Sequence, residues 1–378
     1  MGLWATIYRS LPELIFLAIA LSVHWIAFQR VRKSPWAALG LGVSALWVAA
    51  SIFASLHPVV RFLPPGDFHY WWRGIGHLWG LTSLGALLVW LTFSQLSPRF
   101  SPARRRALNL AKGVVLASPA LVTGYGVFHE RRKFTVREVE IPVSALPADL
   151  HGLRIVQLSD IHFSPYLSES ELAYVVDMAN ETKPHLAVVT GDLVTGRWDP
   201  VGICLLHLKR LKSDAGVFGC LGNHEIFAGC EQLATQMGAD LGLHFLRQQS
   251  RTLRFGSAKL HLVGVDYQPF RTPYLVGVEK LVEPDAFNLL LSHNPDVFPV
   301  AAQQGFHLTL AGHTHGGQVT FEILHPWLNV ARIFTPYVYG KYEIGQAALY
   351  VTRGIGTVGM PARIGAPPEI ALIKLCAS

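Results

Sequence analysis

The chain has 378 residues, 51% of them hydrophobic and only 15% charged, against roughly 25% charged in soluble domains, so part of it is expected in a membrane. Its net charge of +7 is unevenly placed: residues 1–128 hold 11 Lys and Arg against Glu13 and Asp67, whereas residues 129–378 hold 21 against 23. The basic excess therefore flanks apolar sequence, which argues against a nucleic-acid surface and for membrane-adjacent charge.

In chain order, Leu14–Phe28 is nearly uninterrupted apolar sequence closed by Arg30, Arg32 and Lys33. Trp36–Leu56 and Ile75–Leu96 carry no charge over 21 and 22 residues, enough for a helix to cross a bilayer. A fourth stretch, Gly113–Phe128, has 16 residues and contains Pro119. At about 24 Å it either extends past Lys112 by snorkelling or lies partly in the interface. Apolar stretches after the first argue against a cleaved signal peptide. Residues 1–129 thus read as an all-α transmembrane region of about four helices in a multi-pass protein of the cell membrane.

With four spans and the N-terminus outside, the cytoplasmic loops hold Arg30, Arg32, Lys33, Arg99, Arg104, Arg105, Arg106 and Lys112, against Arg9, Arg61 and Arg73 opposite. The positive-inside rule then places everything after Phe128 outside the cytoplasm. Arg131, Arg132 and Lys133 weigh the other way, and a three-span count reverses the answer. Arg104-Arg105-Arg106 loosely resembles a twin-arginine export signal but reads more simply as a positive-inside anchor. His24 and His77 raise a proton-relay or transport role, since ionisable groups are costly in lipid. Both lie near span ends, and no acidic residue sits mid-span to partner them.

From about Glu130 charges return at ordinary frequency, and strands alternate with helices. Val139, Ile141 and Val143 alternate as a half-buried strand does. Strands are expected at Leu153–Leu158, Leu186–Thr190, Val217–Leu221, Phe287–Ser292 and His307–Ala311. Helices are expected at Ser168–Glu181, where Ser168 and Glu171 fit a capping box, around Val201–Lys212, and over Cys230–Gly238. Leu253–Phe255 and Lys259–Val265 read as a hairpin turning at Gly256-Ser257, with shorter strands at Gln318–Phe321, Ala348–Thr352 and Ile370–Leu375. This alternation implies a mixed-sheet α/β domain over residues 130–378. Cys204, Cys220, Cys230 and Cys376 form no CxxC pair, so neither a disulfide framework nor a zinc knuckle is expected.

Five of these apolar runs end in polar clusters of one kind. They are Ser159-Asp160-Ile161-His162, Gly191-Asp192, Gly222-Asn223-His224-Glu225, His293-Asn294 and Gly312-His313-Thr314-His315-Gly316-Gly317. Singly, each has a plain reading as a turn, a cap or a satisfied histidine. Together they fall at the carboxyl ends of strands, where open α/β sheets place their sites.

The ordered set Asp160-Ile161-His162, Gly191-Asp192-Leu193-Val194, Gly222-Asn223-His224-Glu225, His293 and Gly312-His313-Thr314-His315 resembles the calcineurin-like metallophosphoesterase superfamily, over about residues 138–375. The stretches Leu153 to His162, Gly312 to Gln318 and Thr352 to Glu369 are similar to its bacterial membrane-associated branch. That branch includes phosphodiesterases acting on UDP-linked lipid-A-type precursors. One departure is Val265-Asp266-Tyr267, in the specificity loop, where a second acidic residue would follow the aspartate.

The resemblance implies two mixed β-sheets packed face to face and flanked by helices. It implies one metal on Asp160, His162, Asp192 and His315, and a second on Asp192, Asn223, His293 and His313. Such an oxygen and nitrogen set suits Mn²⁺ best, with Fe or Zn²⁺ possible. The implied chemistry is in-line attack of a metal-bridging hydroxide on phosphorus, with His224 as general acid and Glu225 as its orienting partner.

Trp327, Phe334, Tyr337, Tyr339 and Tyr342 follow the second glycine pair and form either a rim for a lipid substrate or an ordinary packed loop. Arg353 and Arg363 are candidates to contact a phosphate. The leading reading is a membrane-anchored dinuclear phosphohydrolase, a phosphodiesterase or pyrophosphatase on a lipid-linked or nucleotide-linked substrate, with the bilayer as its partner. A phosphomonoesterase or phosphoprotein phosphatase stays open, as does a catalytically degenerate domain in a membrane sensor or transporter. A metallo-β-lactamase-like hydrolase would want HxHxDH early in the domain, which is missing.

Overall fold

The computed structural model describes residues 3–56, 66–95, 102–144, 146–269 and 273–377. Arg61 and Arg99 lie outside them, as do the side chains of Arg9, Arg104 and Arg105. The chain divides into two compact units: Met1–His129 with Gly359–Ala362, and Glu130–Val358 with Arg363–Ser378.

The first unit consists of helices α1 (Leu3–Val31), α2 (Pro35–Ser55), α3 (Asp67–Ser94) and α4 (Pro102–Phe128). Among the described residues, four helices are long and apolar enough to cross a membrane. Arg30 at the end of α1 donates to Ser94 Oγ at the end of α3 (2.6 Å), and Arg73 near the start of α3 donates to Ser55 Oγ at the end of α2 (3.1 Å). α1 and α3 therefore run in the same direction and α2 opposite to them. The fourth span is longer than the apolar stretch Gly113–Phe128, because α4 continues back through Lys112 to Pro102. Pro119 cannot donate to Val115 O, and Ser118 Oγ donates to that carbonyl instead (2.8 Å).

His24 is tied into the bundle by Ala20 O (2.7 Å) and Ser44 Oγ (3.0 Å), and His77 by Arg73 O (2.8 Å). Each ring thus has a hydrogen-bond partner within its own helix, and His24 a second on α2.

The second unit holds two six-stranded mixed sheets. In the first, β1 (Thr135–Val143), β12 (Glu369–Ala377), β2 (Arg154–Leu158), β3 (Leu186–Thr190), β4 (Val217–Cys220) and β5 (Leu243–Phe245) lie side by side. Only the β12–β2 pair is antiparallel. The second sheet orders β10 (Gly340–Ile344), β11 (Ala347–Val351), β9 (Leu308–Ala311), β8 (Phe287–Leu291), β7 (Ala258–Gly264) and β6 (Gln249–Phe255).

Strand alternation divides the core. Ile155, Val188 and Phe218 of the first sheet pack against Leu260, Leu289 and Leu308 of the second. On the first sheet's other face, Val156 and Val189 pack under α5 (Glu169–Glu181), α6 (Val201–Leu208) and α8 (Glu231–Asp240). The second sheet is covered by α9 (Phe298–Gln304) through Leu290, Val297 and Ala301. Gln157 crosses between the sheets, its Nε2 donating to Thr190 Oγ1 (2.9 Å) and to Ala311 O (3.0 Å).

The capping box forms, with the Ser168 and Glu171 side chains each accepting the other's backbone N–H. The hairpin turns at Gly256-Ser257. The strand expected at Gln318–Phe321 reduces to one bridge, Val319 with Ile364. All four cysteines are free thiols.

Candidate metal centre

Both sheets present strand ends to one place. Asp160, Asp192, His293 and His313 each stand two residues beyond the last residue of β2, β3, β8 and β9, and Asn223 opens the short helix α7 (Asn223–Ala228) after β4. The parallel ladder continues past the strands: Asp160 N donates to Gly191 O (3.0 Å), His162 N to Asp192 O (3.0 Å) and Gly312 N to His293 O (3.2 Å). These bonds hold the loops in register with the strands that carry them.

Asp160, His162, Asp192, His313 and His315 all have positive φ, between 45° and 74°. Each non-glycine residue held there costs roughly 1–3 kcal/mol, which the surrounding structure must offset. The neighbouring glycines provide close approach. A Cβ on Gly222 would lie 2.1 Å from Asp192 Oδ1, and one on Gly312 would lie 2.3 Å from Asp160 Oδ2.

Asp160, His162, Asp192 and His315 offer ligand atoms that lie within 4.8 Å of one another, and so do Asp192, His293 and His313. Asp192 belongs to both groups. Its Oδ2 lies 3.5 Å from His162 Nε2 and 3.0 Å from His293 Nε2, while His162 and His315 approach at 3.1 Å and His293 and His313 at 3.1 Å.

Burial pushes His162 and His315 well below the ordinary imidazole range, and pushes His313 down to about 3 with help from His293. Neutral imidazole is the form that ligates a metal. Burial opposes ionisation of Asp192, yet His293, His224 and His162 hold its carboxyl well below the usual value. Burial alone would discharge His293; the Asp192 carboxylate keeps it protonated to about 10. Burial pushes Asp160 up to about 6. Asn223 Oδ1 is buried and has no hydrogen-bond partner, a costly state for a carbonyl oxygen that a cation would relieve. The donor set is oxygen and nitrogen without sulfur, so the residues present fit a divalent metal.

The calcineurin-like phosphoesterase family matches residues 153–317. The chain is 31% identical over 311 residues to a transmembrane protein with metallophosphoesterase domain of Danio rerio, covering 76% of this chain and 69% of that protein. It is 30% identical over 285 residues to the uncharacterised metallophosphoesterase YkuE of Bacillus subtilis (strain 168), covering 72% of this chain and 97% of that one. The chain belongs to the calcineurin-like metallophosphoesterases. A Bos taurus transmembrane protein with metallophosphoesterase domain is 27% identical over 317 residues, covering 79% of this chain and 69% of that protein. This metallophosphoesterase is therefore a metal-dependent hydrolase of phosphate esters, of the membrane-associated branch.

Three residues sit differently from the sequence-based expectation. Glu225 does not orient His224. Its buried carboxylate accepts three backbone amides, from Asp192 (3.0 Å), Leu193 (2.7 Å) and Gly222 (2.7 Å), and so ties the β3 loop to the β4 loop. Burial and the Asp192 charge push its carboxyl up to about 6. His224 Nδ1 instead meets Thr195 O at 2.6 Å. Arg363 is not a phosphate contact, because it is wholly buried and donates to the carbonyls of His315 (3.0 Å), Arg353 (2.8 Å), Ala366 (3.2 Å) and Gly356. Arg353 lies 4.3 Å over the Tyr339 ring and reaches Glu369 at 3.4 Å.

Thr195 and Asp199 carry no signal in the sequence, and Tyr267 is marked there only as part of a departure from the family pattern. Thr195 Oγ1 lies 3.2 Å from His162 Nδ1, so one residue braces both His162 and His224. The Asp199 carboxylate accepts from Thr195 N (2.9 Å) and Gly196 N (2.8 Å) and fixes that turn. The Tyr267 ring lies 5.6 Å from His313 and 6.2 Å from His293. At the departure in the specificity loop, Asp266 accepts from Arg247 at 2.7 and 3.2 Å. No motif marks Thr195 and Asp199, since each acts by where the fold places it.

Proposed function

We propose that residues 1–129 anchor the chain in the membrane and residues 130–378 form a dinuclear phosphodiesterase or pyrophosphatase acting on a lipid-linked or nucleotide-linked substrate. The observation that carries this reading is the sharing of Asp192 between two ligand groups drawn from both sheets. Asp160, His162, Asp192 and His315 would hold one ion, and Asp192, Asn223, His293 and His313 the other. Two divalent ions held there, Mn²⁺ first, would supply Lewis acidity toward phosphoryl oxygens and lower the pKa of water at the site.

The chain's own residues do the rest. Burial keeps His162, His313 and His315 neutral, whereas His293, protonated beside Asp192, would have to give up its proton to an ion bound there. His224 is the general acid. Its Nδ1–H donates to Thr195 O, which leaves Nε2 to carry a proton to a departing oxygen, and its edge-on packing against His162, with centroids at 4.6 Å, fixes the ring beside the ligands. Glu225 is a positioning residue for Asp192.

We further read the catalytic unit as facing away from the cytoplasm. Of Arg131, Arg132 and Lys133, which weigh against that orientation, the two arginines pair with Glu171 at 3.5 and 2.8 Å within the folded unit. The test is hydrolysis of bis-p-nitrophenyl phosphate by the full chain with Mn²⁺ after chelation. Activity restored with about two ions per chain supports the reading; no activity and no bound metal by elemental analysis overturn it.

A further inference from the structure

Among the described residues, a run of exposed apolar side chains lies just beyond the turn that carries His313 and His315. In residues 321–334, Ile323 is 95% exposed, and Leu324, Trp327, Val330, Ile333 and Phe334 are each more than half exposed. Scattered apolar side chains on a surface are ordinary, but a contiguous group of this kind marks an interaction site. By contrast, Tyr337 and Tyr342 of the expected aromatic rim pack edge-on against each other, and Tyr337 against Phe298, so they are half-buried against the core.

The segment is built rather than loose. Short 3₁₀ turns span Pro326–Leu328 and Val330–Ile333. Its charged residues, Glu322 and Arg332, pair with each other at its base through Arg332 Nε (2.7 Å). Asn329 is fully buried; its Nδ2 donates to Glu322 Oε2 (2.8 Å) and to Gly316 O (3.1 Å). A Cβ on Gly317 would lie 2.2 Å from Asn329 Oδ1. The base is thus fastened to the histidine-bearing turn while the apolar tip faces outward.

We propose that residues 321–334 are a bilayer-docking loop that seats its apolar tip at the headgroup–acyl boundary and brings the metal centre to phosphate esters borne by lipid. The proposal rests on the phosphohydrolase reading above. Three observations favour a bilayer over a protein partner. The same chain carries four helices long and apolar enough to cross a membrane, so a bilayer is always within reach. The tip presents aliphatic side chains with a tryptophan, the composition of interfacial segments. A protein interface would want a hydrogen-bonding rim, whereas here the charges are paired at the base and His325 is turned to accept from Trp327 N (3.3 Å).

The test uses the full chain in nanodiscs of phosphatidylethanolamine and phosphatidylglycerol, with Cys230→Ser and Cys376→Ser to limit labelling elsewhere. An environment-sensitive fluorophore on Ile323→Cys should shift to the blue and be quenched by brominated lipid, while the same label on Arg254→Cys of β6 should not. A label at 323 as wet as that at 254 overturns the proposal. So does a blue shift indifferent to brominated lipid, which would mean coverage by a second copy or another protein. In a second arm, Ile323→Asp with Trp327→Asp should slow hydrolysis of a diacylglycerol p-nitrophenyl phosphodiester in the bilayer by about tenfold or more, with soluble bis-p-nitrophenyl phosphate hydrolysed as before. An equal loss on both substrates overturns docking. Absence of soluble activity in the unsubstituted chain instead counts against the phosphohydrolase reading and leaves the depth measurement to decide docking.

Discussion

Replacing Glu225 with glutamine separates two roles for this carboxylate. Oε2 accepts from Asp192 N and Gly222 N, and Oε1 from Leu193 N. Glutamine keeps the shape but turns an NH₂ group toward at least one of these amides. A buried N–H left unsatisfied costs about 1–3 kcal/mol, a fall in Tm of roughly 2–12 °C for a domain of this size. Because one of the three amides belongs to Asp192, the shared ligand shifts as well, and loss of such support typically costs about 10–100-fold in metal affinity. Thermal unfolding followed by circular dichroism and Mn²⁺ titration of the chelated protein measure the two effects. Glu225→Gln should lower both, with turnover recovering partly at high Mn²⁺. Unchanged Tm and unchanged Mn²⁺ affinity, with turnover alone reduced, would refute this reasoning and return Glu225 to orienting His224.

Three further outcomes are expected. His224→Ala should cut turnover about 10²–10⁴-fold on a diester with an alkyl leaving group while metal content stays near two ions; metal loss equal to that of Asp192→Ala would remove its role as proton donor. His313→Ala and His315→Ala should each empty one site preferentially, read as about one ion per chain by elemental analysis. Glu171 is partly buried, yet Arg132, Ser168 and Arg131 hold its carboxyl below the usual range. A depressed folded value stabilises above the unfolded pKa, so Glu171→Gln should cost about 1 kcal/mol at pH 7, and its difference from the unsubstituted chain should shrink as pH falls through the carboxylate range.

The sequence by itself determined the elements whose cause is local. β2, β3, β4, β8 and β9 lie within one residue of their apolar runs, because strands buried on both faces read as continuous hydrophobic sequence. The polar clusters that carry the candidate ligands were legible at the ends of those strands, and the family resemblance supplied their division between two ions. The capping box at Ser168 and Glu171 needs only its own turn.

What only the tertiary structure decided involves partners far apart in the chain or directions within an element. Glu225 adjoins His224 in sequence, but successive residues of a helix do not face each other, so the carboxylate points to Asp192 and the imidazole to Thr195. Arg363 and Arg353 lie in the same glycine-rich tail as phosphate-binding candidates would. Burial gives Arg363 to carbonyls of the His315 turn, and ring stacking gives Arg353 to Tyr339. The aromatics after Gly317 divide into packed Tyr337 and Tyr342 and exposed Trp327 and Phe334, a choice set by which side of the loop meets α9 and not by hydrophobicity, which they share.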